Sequence, residues 1–201
     1  MKRTTLAVVV ALLVAAMAWI ASMVRNGFSS LDEPSGLEAF VARTIRHWAV
    51  PSDLRNEKNP VPLTPAVLAE ARAHFADHCA GCHGNDGKGG GLGRQMYPRA
   101  PDMTSERTQS LSDGELFSII ENGLRLTGMP GFGTGTAQSA YGSWTLVHFI
   151  RHLPKLTQEE IAAMEKLNPK TPAEWQQTQE EEAFLAVEEN ASPAPAAAHH
   201  H

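Results

Sequence analysis

The sequence holds two cysteines, and both lie in Cys79-Ala80-Gly81-Cys82-His83. Two thiols about one helical turn apart can each add to one vinyl group of a haem, and the adjoining imidazole then lies beneath the iron. Because all three reactive side chains can serve one cofactor, the spacing predicts a single, covalently attached haem c.

Two other uses of a Cys-x-x-Cys pair compete with haem attachment. A zinc site needs two more ligands, and only His74 and His78 stand close in the sequence. A thioredoxin-type dithiol needs a strand-rich domain, which the residue pattern does not indicate. His148 and His152 stand one turn apart, and we predict that they lie on a solvated helix face rather than in a metal site.

An iron held by one histidine has an open sixth position, which a methionine can fill. We favour Met129 because it lies in Thr127-Gly128-Met129-Pro130-Gly131. The proline biases Met129 toward extended backbone, and the glycines let the chain approach a porphyrin closely. Met103 ranks second and Met96 third, while Met164 is expected outside the haem domain. The alternative for any methionine is a role as core filler.

These motifs resemble those of a class I c-type cytochrome with one haem, over about residues 63–154. The resemblance implies an all-α domain in which one helix precedes the haem motif, a loop carries the methionine ligand and a final helix crosses the first. Cys79, Cys82, His83 and Met129 match the family's ligand roles. It also implies an electron carrier rather than an enzyme, with no small-molecule substrate, assembled in the periplasm or another non-cytoplasmic space.

Six glycines from Gly84 to Gly93 and a proline-containing segment follow the haem motif. We interpret the glycine segment as a flexible surface loop, since Lys88 is not followed by the Ser or Thr of a phosphate-binding loop. In the family, a carbonyl of such a proline segment accepts the proton of the proximal imidazole, so Pro98 or Pro101 is a candidate. Tyr97 and Trp144 are further predicted cofactor contacts.

Local signals predict the helices that position this site. Thr64-Pro65 is an N-cap and first-turn pair for a helix that runs into the haem motif. Ser112 and Glu115 form a capping box, and Asn122-Gly123 supplies the stop for that helix. The apolar residues of Trp144–Leu153 predict the last helix of the domain.

The N-terminal residues 1–25 predict a membrane anchor. Lys2 and Arg3 precede Leu6–Val24, which has no charged side chain and reaches about 28 Å as a helix. A cleaved signal is the alternative, because Ala16-Met17-Ala18 is a small-x-small site. The two basic residues favour a cytoplasmic N-terminus, so we expect a single-pass protein of the bacterial inner membrane with its haem domain in the periplasm.

The flanking segments are less constrained. In residues 26–62, a linker, the apolar residues of Leu37–Trp48 predict an amphipathic helix that lies on the membrane, on a partner or on the protein's own domain. Residues 155–190 predict an acidic helical extension with helix starts at Thr157 and Thr171-Pro172. Residues 191–201 predict a disordered tail, whose three terminal histidines fit either a metal-binding tail or a tag remnant.

Charge excludes one large class of function. The chain has 17 Lys and Arg against 22 Asp and Glu, and residues 155–201 carry most of the negative excess. A nucleic-acid binder needs a basic face, so we expect redox proteins or a membrane respiratory complex as partners. Two alternatives to a free carrier stay open: a haem c subunit of a larger membrane oxidase or dehydrogenase, and a five-coordinate haem enzyme or gas sensor.

Overall fold

A computed structural model describes residues 2–26, 29–170, 174 and 176–177. Regular structure in this part of the chain is helical, with no strand, which confirms the predicted all-α fold. The chain divides into two compact units, one ending at Leu167 and the other starting at Asn168. The predicted helix start at Thr171-Pro172 and the tail 191–201 lie outside the described residues.

The uncharged N-terminal segment forms α1 (Lys2–Asn26). Its stretch Arg3–Arg25 is long and apolar enough to cross a membrane by length and composition, and none of it is buried against the rest of the protein. A signal sequence meets the same two criteria, so this helix agrees with either of the two predicted roles.

The predicted amphipathic helix is α2 (Gly36–Ala49). It begins after Ser35, whose hydroxyl accepts a hydrogen bond from the Glu38 amide at 3.2 Å. Pro51 follows it and precedes the single turn α3 (Ser52–Arg55). The alternative that its apolar side packs on the protein's own domain is wrong, because every large apolar side chain of α2 is exposed: Leu37, Phe40, Val41, Ile45 and Trp48.

The helix before the haem motif is α4 (Pro65–His78), and it begins where Thr64-Pro65 predicts. The Thr64 hydroxyl accepts a hydrogen bond from the Val67 amide at 3.2 Å, which satisfies one of the free amides of the first turn. The single turn α5 (Ala80–His83) follows directly. One continuous helical path therefore leads from the N-cap to the haem motif.

A 3₁₀ turn (Gly91–Gln95) and α6 (Glu106–Gln109) lead to α7 (Asp113–Asn122). The predicted capping box of α7 is confirmed: the Glu115 amide donates to Ser112 Oγ at 3.1 Å, and the Ser112 amide donates to Glu115 Oε2 at 2.9 Å. The helix ends at the predicted Gly123, whose φ of 65° is costly for residues with a side chain.

The last long helix, α8 (Ala137–His152), is the centre of the core. It packs against α4, as the cytochrome resemblance implies, and the rings of Phe75 and Phe149 meet with their centroids 5.0 Å apart. It also packs against α7, where Phe117 stacks on Trp144 at 4.2 Å. Helices α4 and α7 are therefore fixed relative to each other through α8.

The chain continues through a 3₁₀ turn (Leu153–Lys155) into α9 (Gln158–Glu165), which starts at the predicted Thr157 with a capping box. Met164 in α9 is fully buried in the same core as Phe75 and Phe149. The expectation that Met164 lies outside the haem domain is therefore wrong. Ile161, Met164 and Leu167 form a small apolar face that the sequence indicates could pack on the domain or on a partner, and Met164 makes the first of these contacts.

Glu115 has a second role beyond the capping box. Its Oε1 accepts a hydrogen bond from His47 Nδ1 at 2.8 Å, which ties α2 to α7, and Glu115 is only 7% exposed. Burial alone would raise the pKa of Glu115, but the Ser112 amide, His47 and Arg46 together lower it below the usual 4.5. The charged form therefore stabilises the folded state.

We expect Phe149→Ala to lower the free energy of unfolding by about 3–5 kcal/mol, because it opens a cavity between α4 and α8. Phe40→Ala is the matched control: Phe40 is 60% exposed, so its loss should change stability by less than about 0.5 kcal/mol. Denaturant unfolding of the haem-loaded protein measures both. Equal effects of the two substitutions would contradict the assigned core.

We expect Glu115→Gln to reduce the acid sensitivity of the fold. A carboxylate with a lowered folded pKa adds stability above its unfolded value near 4.5, and this stability is lost as pH falls through the folded value. Unfolding midpoints of the wild type should therefore fall more steeply below about pH 4.5 than those of Glu115→Gln. Exposed Glu57→Gln is the control and should keep the wild-type slope.

Candidate haem-binding site

The two cysteines and His83 lie on one short helical path at the end of α4. The Cys79 amide donates to the Phe75 carbonyl at 2.9 Å, so the first cysteine closes the helix that packs on α8. The His83 amide donates to the Cys79 carbonyl at 2.9 Å, which completes the turn. This backbone holds both thiols and the imidazole together, in the order that the haem motif requires.

Cys79 and Cys82 do not form a disulfide with each other. Burial, and next the neighbouring Cys82, raise the pKa of Cys79 to about 12. A raised pKa disfavours the thiolate that a redox dithiol uses, so the surroundings of Cys79 do not favour that alternative.

His83 lies in surroundings that keep its imidazole neutral, because burial lowers its pKa. Its Nδ1 is buried and has no hydrogen-bond partner in the structure. The hydrogen bond to the carbonyl of Pro98 or Pro101, implied by the resemblance, is therefore not formed here. A neutral imidazole can donate a nitrogen lone pair to iron, so His83 fits the role of a haem ligand. Its buried Nδ1 lacks the hydrogen-bond partner that usually orients such a ring.

The glycine segment after the motif forms a packed wall, which corrects the expectation of a flexible surface loop. The Gly89 amide donates to the His83 carbonyl at 2.8 Å, and the Gly90 amide donates to the Cys82 carbonyl at 3.1 Å. Gly93 is buried, and a Cβ built on it would lie 2.1 Å from the Cys82 oxygen. The wall therefore needs a residue without a side chain at Gly93.

Tyr97 and Trp144, the two predicted aromatic contacts, both have protein partners. The Tyr97 hydroxyl donates to Glu38 Oε1 at 2.5 Å, and this bond is the main reason that the pKa of Tyr97 is raised to about 12. Trp144 is buried against Phe117 between α7 and α8. Their contact with a cofactor stays a prediction.

Met129 lies in a loop that is closed by its own hydrogen bonds. The Leu124 amide donates to the Met129 carbonyl at 3.1 Å, and the Met129 amide donates to Thr127 Oγ1 at 3.1 Å. Leu126, at the tip of the loop, has a φ of 62° and is 91% exposed. The loop thus holds a half-buried methionine next to a tip that extends into solvent.

Met96 and Met103, the two lower-ranked candidate ligands, change their order. Met103 is 7% exposed and belongs to the apolar core, which is the alternative role for a methionine. Met96 lies against the Met129 loop, because a Cβ on Gly128 would be 2.2 Å from the Met96 sulfur. We therefore rank Met96 above Met103. Only the tertiary fold shows this proximity, since thirty-two positions separate Met96 from Gly128.

His148 and His152 both form structural contacts. His148 Nε2 donates to the Val61 carbonyl at 2.7 Å, and His152 Nε2 donates to Glu160 Oε1 at 3.0 Å. The expectation of a solvated face is therefore wrong for this pair. Within the residues described by the structure, no three His, Cys, Asp or Glu side chains are grouped to hold a metal ion, and this finding does not favour the zinc alternative.

Comparison with known families agrees with this arrangement. Residues 66–150 match the family model described as "Cytochrome C oxidase, cbb3-type, subunit III". The matched range starts in α4, ends in α8 and includes the haem motif and the Met129 loop. A comparison with curated proteins found no match.

We expect Gly93→Ala to reduce haem incorporation several-fold, because the new methyl group collides with the Cys82 carbonyl and the Ala100 side chain. Overpacking of this kind costs about 1–3 kcal/mol. Gly81→Ala is the control within the motif, since a Cβ there meets nothing within 4 Å. The ratio of Soret to protein absorbance, measured after expression with haem-attachment machinery, reports both. Normal loading of Gly93→Ala would show that the wall does not constrain the motif.

Proposed function

Because residues 66–150 form a c-type cytochrome domain, we propose that this chain is a one-electron carrier with a single haem c bound between His83 and Met129. The observation that supports this most directly is the helical turn immediately after α4, which joins Cys79, Cys82 and His83. The cofactor supplies an iron that alternates between Fe(III) and Fe(II). The protein supplies attachment, ligands and a dry environment.

Each part of the site has one task in this proposal. Cys79 and Cys82 would attach the porphyrin by thioether bonds, and neutral His83 would hold the iron through its imidazole. The Met129 loop would supply a thioether sulfur as the second ligand, and a sulfur ligand would favour the reduced iron and raise its potential. With both ligands in place the iron would have no free position for a substrate, so the chain would transfer electrons without catalysing a reaction of its own.

We also propose that α1 is an uncleaved anchor that places the haem domain on the periplasmic side of a bacterial inner membrane. The helix is long enough to span the bilayer, and Lys2 and Arg3 at its start favour a cytoplasmic N-terminus. This topology puts the cysteines in a compartment where haem c is attached, as the cytochrome resemblance implies.

A second candidate is a haem subunit of a larger respiratory oxidase. The matched family model is described as an oxidase subunit, which is the specific observation that favours it. Extraction in mild detergent followed by size-exclusion chromatography distinguishes the two: a stoichiometric complex with haem-containing partners supports the subunit, and a lone chain supports the free carrier.

The sixth ligand separates a carrier from a five-coordinate enzyme or sensor. We expect the oxidised wild type to show the methionine–iron charge-transfer band at the red end of its spectrum and the reduced wild type to resist carbon monoxide. Met129→Ala should abolish the band, bind carbon monoxide rapidly and lower the potential by on the order of 0.1 V. A haem stain on a denaturing gel tests the covalent bond in the same samples.

Met96→Leu and Met103→Leu are the matched controls for that experiment. Both should keep the charge-transfer band, since neither is assigned to the iron. Loss of the band in Met96→Leu alone would move the ligand to Met96 and leave electron transfer intact. Absence of the band from the wild type, with immediate carbon monoxide binding, would overturn the carrier.

A further inference from the structure

An uncovered apolar surface runs along α2. We call it the outer face of α2, and it consists of five side chains that are each between 44% and 74% exposed: Leu37, Phe40, Val41, Ile45 and Trp48. Their spacing puts them on one side of the helix. A helix that was selected to cap its own domain would turn this side inward, because burial of apolar area drives packing.

Polar contacts prevent α2 from turning this face inward. On one flank of the helix, Tyr97 donates to Glu38 at 2.5 Å. On the other flank, His47 donates to Glu115 at 2.8 Å, and Arg55 donates to the His47 carbonyl at 2.7 Å. The outer face lies between these two attachments and points away from the domain, so α2 is bound to the haem domain by its polar side.

The segment before α2 is also attached to the haem domain, and this attachment limits the distance between the haem domain and the membrane anchor. Arg99 Nη2 donates to the Leu31 carbonyl at 2.6 Å, and Arg99 Nη1 lies 3.5 Å from Glu33 Oε1. Leu31 is five residues after Asn26, the end of α1. Five residues span at most about 18 Å, so this side of the haem domain cannot move far from the end of α1.

We propose that the outer face of α2 lies in the interfacial layer of the bilayer that α1 spans. The inference rests on the proposed uncleaved anchor. Helices of this kind place Leu and Phe below the headgroups and Trp at the interface, which matches Leu37, Phe40 and Trp48. Because a short tether holds α2 close to the bilayer, the effective lipid concentration at its outer face is high. Even a weak affinity of this face for lipid is then sufficient for binding.

The anchor is also the reason to prefer lipid over a protein partner. A second copy or another subunit must be recruited to this face from solution or by diffusion in the membrane, whereas the bilayer is held beside it by the same chain. The outer face carries no charged side chain that would select a protein partner. With α1 and α2 both attached to lipid, the haem domain would have a fixed orientation.

The test uses the full haem-loaded chain in phospholipid nanodiscs that contain one copy each. Single cysteines replace Val41 or Ile45 on the outer face, and Ala42 or Lys58 at exposed control positions. Cys79 and Cys82 are blocked by their thioether bonds. We expect a water-soluble maleimide to modify Val41→Cys and Ile45→Cys at least about 10-fold more slowly than Ala42→Cys and Lys58→Cys, as burial in the acyl boundary requires.

A second measurement separates lipid from a local change of structure. An environment-sensitive fluorophore on Val41→Cys should resist quenching by aqueous iodide, and adding Ile45→Asp should restore quenching without altering the haem spectrum. Equal maleimide rates at all four positions overturn the proposal. Protection that appears only in discs with two copies also overturns it, in favour of a second copy. If the chain does not stay with the discs, the proposed membrane anchor is refuted. If the chain stays with the discs but maleimide modifies the outer face of α2 as fast as the controls, only the proposal for α2 is refuted.

Discussion

The contact between Phe75 and Phe149 is the interaction on which the rest of this structure depends. It fixes α4 against α8, and because the Phe75 carbonyl accepts the Cys79 amide, it also fixes the residue where the haem motif begins. Helix α7 is attached to the same α8 through Phe117 and Trp144 and carries the Met129 loop at its end. Both residues of the proposed ligand pair, His83 and Met129, are therefore positioned through contacts with α8, which is why a core of modest size can hold them in a defined geometry.

Local chemistry made several features predictable from sequence. The N-caps at Thr64, Ser112 and Thr157 all begin helices, because a capping side chain satisfies amides within its own first turn and needs no distant partner. The cysteine spacing is also local, since one turn of helix defines it. Features that depend on distant contacts could not be predicted in this way. The full burial of Met164, the packed wall at Gly93 and the approach of Met96 to Gly128 all require the tertiary fold.

His83, the predicted iron ligand, shows how far a family resemblance extends. The resemblance implied a carbonyl partner for His83, and the structure gives Nδ1 none. What the structure adds instead is the backbone side of the same site, in which the carbonyls of Cys82 and His83 accept amides from the glycine segment. The glycines lie there because their backbone must approach the motif more closely than a side chain permits, so their cluster is a steric requirement rather than a sign of flexibility.

Glu115 links α2, in the segment before the cytochrome domain, to α7. One carboxylate caps α7 and holds α2 through His47, while Gly114 beside it lets the Leu54 carbonyl approach α7 where a side chain would collide. The residues before the haem domain are thus bound to it by polar contacts from Leu31 onward. A linker that only tethered the domain would need none of these contacts. Their presence means that α2 and the segment before it have a defined position on the cytochrome domain, and an electron carrier gains from this because its rate depends on which surface meets the partner.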